Sequence, residues 1–189
     1  MISKNILNKF PRSSKYDLNW MKENEMGPNS VWLTEFLTDK MQFKEGIKVL
    51  DLGCGKACSS IFLAKEFNVN VWATDLWIDA TSNFQNVKKM QAEDKVFPIY
   101  SEAHQLPYAQ EFFDVIVAVD SYAYFGTDDL YLNYLLQFLK PGGLIGIISP
   151  GVKQEVNKEV IDFYGKFWDP EMFCFHTVDW WVKDRKSVV

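Results

Sequence analysis

The chain has 189 residues, of which 48% are hydrophobic and 24% are charged, and its formal net charge is -5 at pH 7. This length predicts one domain with a substantial core, and the acidic balance argues against a nucleic-acid partner, because phosphate binding depends on clustered Lys and Arg. No apolar run approaches the roughly 20 residues that span a bilayer, and the first residues lack a signal-peptide core, so we expect a cytoplasmic protein without a membrane partner.

The predicted elements begin with a polar N-terminal arm over residues 1–30, which is irregular or lightly helical, followed by a domain over residues 31–189. A turn at residues 26–29 precedes a helix whose apolar residues recur at helical spacing, and Asn29 or Ser30 is positioned to cap it. Three cysteines without a C-x-x-C pair predict reduced thiols. With only two histidines, the sequence predicts no metal site.

After this helix, apolar strand-like runs alternate with amphipathic helical stretches. The predicted strands are residues 48–51, 70–75, 95–99, 114–119 and 144–149. The predicted helices are residues 57–67, 78–91, 127–139 and 153–163. This alternation predicts an α/β fold, with a doubly wound, mostly parallel sheet and helices on both faces.

The first predicted strand ends in an acidic residue and a glycine turn, Asp51-Leu52-Gly53-Cys54-Gly55. Open α/β sheets bind ligands at the carboxyl ends of their strands, so we expect a nucleoside-like ligand here. A dinucleotide fingerprint would have a third glycine where Cys58 stands, and the Asp51 carboxylate would repel a pyrophosphate. Asp75 ends the second strand, where an acid can bind both ribose hydroxyls.

Together, Asp51-Leu52-Gly53-Cys54-Gly55 and Asp75 resemble motifs of the class I S-adenosylmethionine-dependent methyltransferases. Three later segments are similar to that family in the same order. Residues 101–108 resemble the segment after the third strand, residues 112–118 the fourth strand, and residues 139–145 the turn and strand after its helix. The resemblance covers residues 31–149 and implies a Rossmann-like methyltransferase fold with S-adenosyl-L-methionine as cofactor.

The resemblance also implies roles for individual residues. The implied cofactor-binding residues are Asp51, Gly53, Cys54 and Gly55 for the amino-acid end, Asp75 for the ribose, and Leu76, Glu102 and Ala103 for the adenine. The arm near Tyr16 and Met26 would fold over the cofactor, as N-terminal segments do in similar methyltransferases.

Asp120, Tyr122 and Tyr124 follow the fourth strand, whose carboxyl end should open toward the methyl group. They are the candidate catalytic residues, and strand-end packing is the alternative interpretation. The aromatic run at residues 163–168 and the pair Trp180-Trp181 would line an acceptor pocket or a lid, or pack in the core.

The predicted function is direct methyl transfer from S-adenosyl-L-methionine to a small-molecule acceptor. The alternatives are a nicotinamide-dependent oxidoreductase and a cofactor-binding module without catalysis. The resembled family usually completes its sheet with a C-terminal antiparallel hairpin. Residues 177–182 are too few for two ordinary strands, so we expect this chain to lack the hairpin and to have a truncated C-terminus.

Overall fold

The computed structural model of the chain describes residues 9–186. In this part of the chain five strands form one parallel sheet in the order β3-β2-β1-β4-β5, which confirms the predicted α/β fold. The strands are β1 (Lys48–Leu52), β2 (Asn70–Asp75), β3 (Val96–Tyr100), β4 (Phe113–Val119) and β5 (Leu139–Ile148). The strand order reverses between β1 and β4, where a crevice for ligands forms in sheets of this kind.

The helices lie before the sheet, between its strands and after it. They are α1 (Leu18–Asn24), α2 (Ser30–Thr38), α3 (Cys58–Phe67), α4 (Ala80–Lys89), α5 (Tyr131–Leu136), α6 (Lys158–Tyr164) and α7 (Val178–Lys186). Asn29 caps α2, because its side chain accepts a hydrogen bond from Trp32 N at 2.9 Å. None of the helices in residues 9–186 combines the length and the apolar character needed to cross a bilayer.

Two hydrophobic clusters hold the helices against the two faces of the sheet. Val49 belongs to one cluster, with Phe62 of α3, whereas the next residue, Leu50, belongs to the other, with Tyr131 of α5. Successive side chains of a strand point to opposite faces, so β1 is buried on both sides. This burial explains why the central strands β1 and β4 are mostly apolar in the sequence.

The β4–β5 seam differs most from the predicted elements. β5 begins at Leu139, which pairs with Phe113, and the register then shifts so that Val115 pairs with Leu144. Residues 140–143 bulge out of the ladder, and Lys140 Nζ binds Asp114 Oδ1 at 2.6 Å. The predicted helix 127–139 is therefore shorter, because its last residues belong to a turn and a strand.

The segment 152–176 after β5 forms an excursion whose ends lie together. Val152 N donates to His176 O at 3.4 Å. The Glu155 carboxylate lies 2.8 Å from His176 Nδ1 and accepts hydrogen bonds from Thr177 N and Oγ1 at 2.8 and 2.6 Å. These contacts fix the base of the excursion beside the carboxyl ends of β4 and β5.

Candidate functional site

A cavity of about 400 Å³ opens at the carboxyl ends of β1, β2 and β4. The turns after the strands form most of its wall, and the segment between α1 and α2 covers it. Wall residues from these turns are Gly53, Cys54, Gly55, Asp75, Leu76, Trp77, Glu102, Ala103, His104, Asp120 and Tyr124, and the covering residues include Met26, Gly27 and Pro28. The structure thus brings together every predicted site residue except Asp51 and Tyr122.

The turn after β1 depends on glycine because it passes very close to the turn after β4. Gly53 has a φ of +72°, and a Cβ added there would lie 2.4 Å from the Cβ of Ser121. Gly53 N and Cys54 N both donate to Thr74 O, at 2.8 and 3.1 Å. The predicted glycine turn is therefore held between β2 and β4, with two of its amides bonded inside the protein.

Asp75 joins two of the turns that line the cavity. Its Oδ2 accepts a hydrogen bond from Gly55 N at 2.7 Å, and its Oδ1 accepts from Trp77 N and Ile78 N at 2.8 and 3.0 Å. The side chain lies in the wall, and an ionised carboxylate has about four acceptor positions. Three of these positions are occupied, so Asp75 keeps about one acceptor position, on Oδ2, for a ligand hydroxyl while it holds the turns in place.

Asp51 lies behind the wall rather than in it, because it shares the α3-facing side of β1 with Val49. Its Oδ2 accepts hydrogen bonds from Ser59 Oγ and Ser60 Oγ, both at 2.6 Å, while its buried Oδ1 has no partner among the described residues. Burial raises the pKa of Asp51 to about 6, against the two serine hydrogen bonds, which lower it. Asp51 itself does not line the cavity, whereas Ser59, which bonds to it, does.

Asp120 has a strained backbone and a carboxylate that faces the cavity. Its φ is +57°, a conformation that is uncommon for residues other than glycine and is often found at functional sites. Desolvation raises the pKa of its carboxyl to about 6. A Cβ added to Gly27 would lie 2.7 Å from Asp120 Oδ2, so the covering segment leaves room for this side chain through a glycine.

The two candidate tyrosines lie in different environments. Tyr122 is 2% exposed and packs against Phe125, Tyr131 and Trp181 at ring distances of 5.7, 6.1 and 5.7 Å. It belongs to the core, as the packing interpretation stated, and it does not line the cavity. Tyr124, at the other end of the same short 3₁₀ turn, is 45% exposed and lines the cavity.

Glu102 and His104 form a pair on the β3 side of the cavity. Glu102 Oε1 lies 2.8 Å from His104 Nδ1, and its Oε2 accepts a hydrogen bond from His104 N at 2.7 Å. Burial tends to raise the pKa of Glu102, but the hydrogen bonds from His104 outweigh it and hold the pKa below its usual value. Nearby, Leu76 and the 63% exposed Trp77 present apolar surface to the cavity.

The charges of the wall favour a cationic ligand. Asp75, Glu102 and Asp120 place three carboxyl groups around the cavity, and Asp51 lies just behind it. Lys56 also lines the cavity, and its Nζ donates to Glu23 O at 3.0 Å. A cavity lined mainly by one sign of charge concentrates ligands of the opposite sign, so this one disfavours a pyrophosphate.

The N-terminal segment contributes more to the site than the polar composition of residues 1–30 indicates. Met26 lines the cavity, and its Sδ would lie 3.1 Å from a Cβ added to Gly55. Tyr16, the other residue expected over the ligand, instead packs against Phe62 in the core. Met26 therefore lies over the cavity, as the resemblance implies, whereas Tyr16 does not line it.

Comparisons with known proteins point to one family. A family model described as a methyltransferase domain matches residues 49–143. Methyltransferase GfsG of Streptomyces halstedii is 29% identical over 134 residues, which cover 69% of this chain and 48% of that protein. Demethylmenaquinone methyltransferase of Staphylococcus haemolyticus is 30% identical over 162 residues, which cover 84% of this chain and 66% of that protein.

Solved structures share the fold at lower identity. Phosphoethanolamine N-methyltransferase 2 of Haemonchus contortus, solved in complex with S-adenosyl-L-methionine, superposes with a TM-score of 0.69 at 17% identity. The match covers 99% of this chain and 44% of that one. The chain spans about half to two thirds of the length of the two curated relatives described above.

Proposed function

The chain belongs to the class I S-adenosylmethionine-dependent methyltransferases, and from this premise we propose that it transfers a methyl group from S-adenosyl-L-methionine directly to a small-molecule acceptor. The observation that carries the proposal is the acidic cavity at the carboxyl ends of β1, β2 and β4. S-adenosyl-L-methionine is a cationic nucleoside, which suits carboxylates at the ribose position and a wall of mainly negative charge. The same charges disfavour the nicotinamide-dependent alternative.

The proposed cofactor site divides among three turns. Gly53, Cys54 and Gly55 would hold the amino-acid end, and Asp51, behind the wall, holds Ser59 at the start of α3. Asp75 would bind a ribose hydroxyl through its remaining acceptor position. On the adenine side the proposed contacts are Leu76, Trp77, Glu102 and Ala103. The fit rests on the room that the two glycines leave and on the one acceptor position, out of about four, that Asp75 keeps beside its three backbone bonds.

The bound cofactor supplies an activated methyl carbon on sulfur with a neutral thioether leaving group. The protein's task is therefore to align the acceptor atom with that carbon, and such positioning contributes up to roughly 7–11 kcal/mol. Asp120 and Tyr124 lie in the wall after β4 and are proposed to contact the acceptor. With a pKa of about 6, Asp120 is mostly ionised at pH 7 and can accept a proton from a hydroxyl or an ammonium. Tyr122 is assigned to packing only.

Calorimetry with S-adenosyl-L-methionine and S-adenosylhomocysteine tests the cofactor site. Asp75→Asn should weaken the binding of both about 10- to 100-fold, because hydrogen bonds to a charged group contribute about 1.5–3 kcal/mol. Asp94→Asn is the matched control, since Asp94 is exposed and lies outside the cavity. Equal affinities for the two variants would contradict the ribose assignment, and no binding by the wild type would contradict the cofactor.

Methyl transfer is tested with labelled cofactor and pools of small-molecule acceptors. Asp120→Asn should slow transfer about 100-fold, a typical contribution of general acid–base catalysis, and leave the affinity for S-adenosylhomocysteine unchanged. A large loss of that affinity would instead place Asp120 on the cofactor. Tight cofactor binding without a methylated product from any pool would favour the non-catalytic module. The setting that we propose is the cytoplasm, where buried thiols such as Cys54 and Cys58 stay reduced.

A further inference from the structure

A second cavity lies within the excursion after β5. Its volume is about 580 Å³, and its wall is mostly apolar and aromatic. Residues that define the wall are Val152, Val156, Val160, Tyr164, Trp168 and Phe175. Cavities of this size with a mainly apolar lining are typical of small-molecule sites.

Helix α6 forms one side of this cavity with a face that no core residue covers. Val160, Phe163 and Tyr164 lie three and four residues apart, so they share one face of the helix, and all three line the cavity. No residue of α6 is buried, and Phe163 is 83% exposed. Apolar surface on this scale gains free energy when a ligand removes it from water.

The two cavities lie on either side of a pair of aromatic rings. Phe175 lines the second cavity, Tyr124 lines the first, and their ring centroids are 6.4 Å apart in an edge-to-face arrangement. The bonds of Glu155 to His176 and Thr177 hold the chain next to Phe175 in place. An acceptor held at Asp120 and Tyr124 is therefore separated from the apolar space only by this ring pair.

We propose that the second cavity binds the hydrocarbon part of the methyl acceptor. The acceptor is then an amphiphile, with its nucleophilic atom beside Asp120 and its apolar portion against α6 and Trp168. This inference rests on the proposed function, because it extends the same active site. The occupant is a small molecule rather than a second copy of the chain, since the apolar wall is concave and lies next to the proposed active site.

A homologous series of 1-alkanols from butanol to octanol tests the proposal by calorimetry, with and without S-adenosylhomocysteine. Each added methylene should tighten binding about fourfold, the value expected for a buried CH₂. Val160→Asp should abolish this dependence on chain length by placing a carboxylate in the wall. Val178→Asp is the matched control, since Val178 is 74% exposed on α7 and lines neither cavity. Circular dichroism checks that both variants fold.

Three results would overturn the proposal. The first is an affinity that does not change with chain length in the wild type, and the second is an equal effect of the two Val→Asp changes. The third is a dimer of the wild type in sedimentation that Val160→Asp alone converts to a monomer, which would assign this face to a second copy. Failure of the proposed function is distinguishable, because it appears as lost binding of S-adenosylhomocysteine whatever the alkanols do.

Discussion

The close approach of Gly53 to Ser121 makes a quantitative prediction for Gly53→Ala. The new alanine would have to keep the φ of +72°, which costs about 1–2 kcal/mol for residues other than glycine. It would also lie 2.4 Å from the Ser121 Cβ and 2.7 Å from its Oγ, and overpacking of this kind costs typically about 1–3 kcal/mol. The loss of unfolded-state entropy returns about 0.4–1 kcal/mol. We therefore expect the free energy of unfolding in urea to fall by about 1–4.5 kcal/mol.

Gly142→Ala separates the two contributions to this cost. Gly142 has a similar φ of +76° but no atom within 4 Å of an added Cβ, so only the backbone cost of about 1 kcal/mol remains. Ser121→Gly removes the clashing atoms, and a double-mutant cycle of Gly53→Ala with Ser121→Gly should show a favourable coupling of about 1–3 kcal/mol. If Gly53→Ala and Gly142→Ala destabilise equally, or if the coupling is zero, the argument from close packing is refuted.

Two further predictions concern the stability of the fold. The folded pKa of Asp51, about 6, lies above its ordinary value of 3.8, so its contribution to stability is full below pH 4 and is lost as the pH rises through 6. Between pH 4 and 7, the free energy of unfolding in urea should therefore fall by about 3 kcal/mol less in Asp51→Asn than in the wild type. Parallel pH profiles of the variant and the wild type would contradict this prediction. Asn68 ends α3 at a φ of +53°, so Asn68→Gly should raise the thermal midpoint, with a gain of about 0.5–1 kcal/mol, and Asn68→Val should lower it by a similar or larger amount. A lower midpoint for the glycine variant would contradict the strain argument.

The sequence predicted the central strands well because they are buried on both faces and are therefore mostly apolar. It placed the start of β5 five residues late, because Lys140-Pro141-Gly142-Gly143 has the composition of a turn and only the pairing of Leu139 with Phe113 makes it a bulge. The direction of the Asp51 side chain depends on the face of the sheet that it occupies, and that of Tyr122 depends on a single 3₁₀ turn. Local sequence patterns specify neither. The second cavity depends on contacts of Glu155 with residues 21 and 22 positions away.

The strand order also determines when the active site can form during folding. β1 and β2 are joined through α3, whereas the pairing of β1 with β4 brings together residues 66 positions apart, such as Val49 and Val115. Contacts between distant parts of a chain form slowly, because the entropy of closing the loop opposes them. A folding intermediate that contains only β1, β2 and β3 would hold Gly53 and Asp75 without Asp120. Ligands that need all three residues can therefore bind only after β4 docks, and they stabilise that last step.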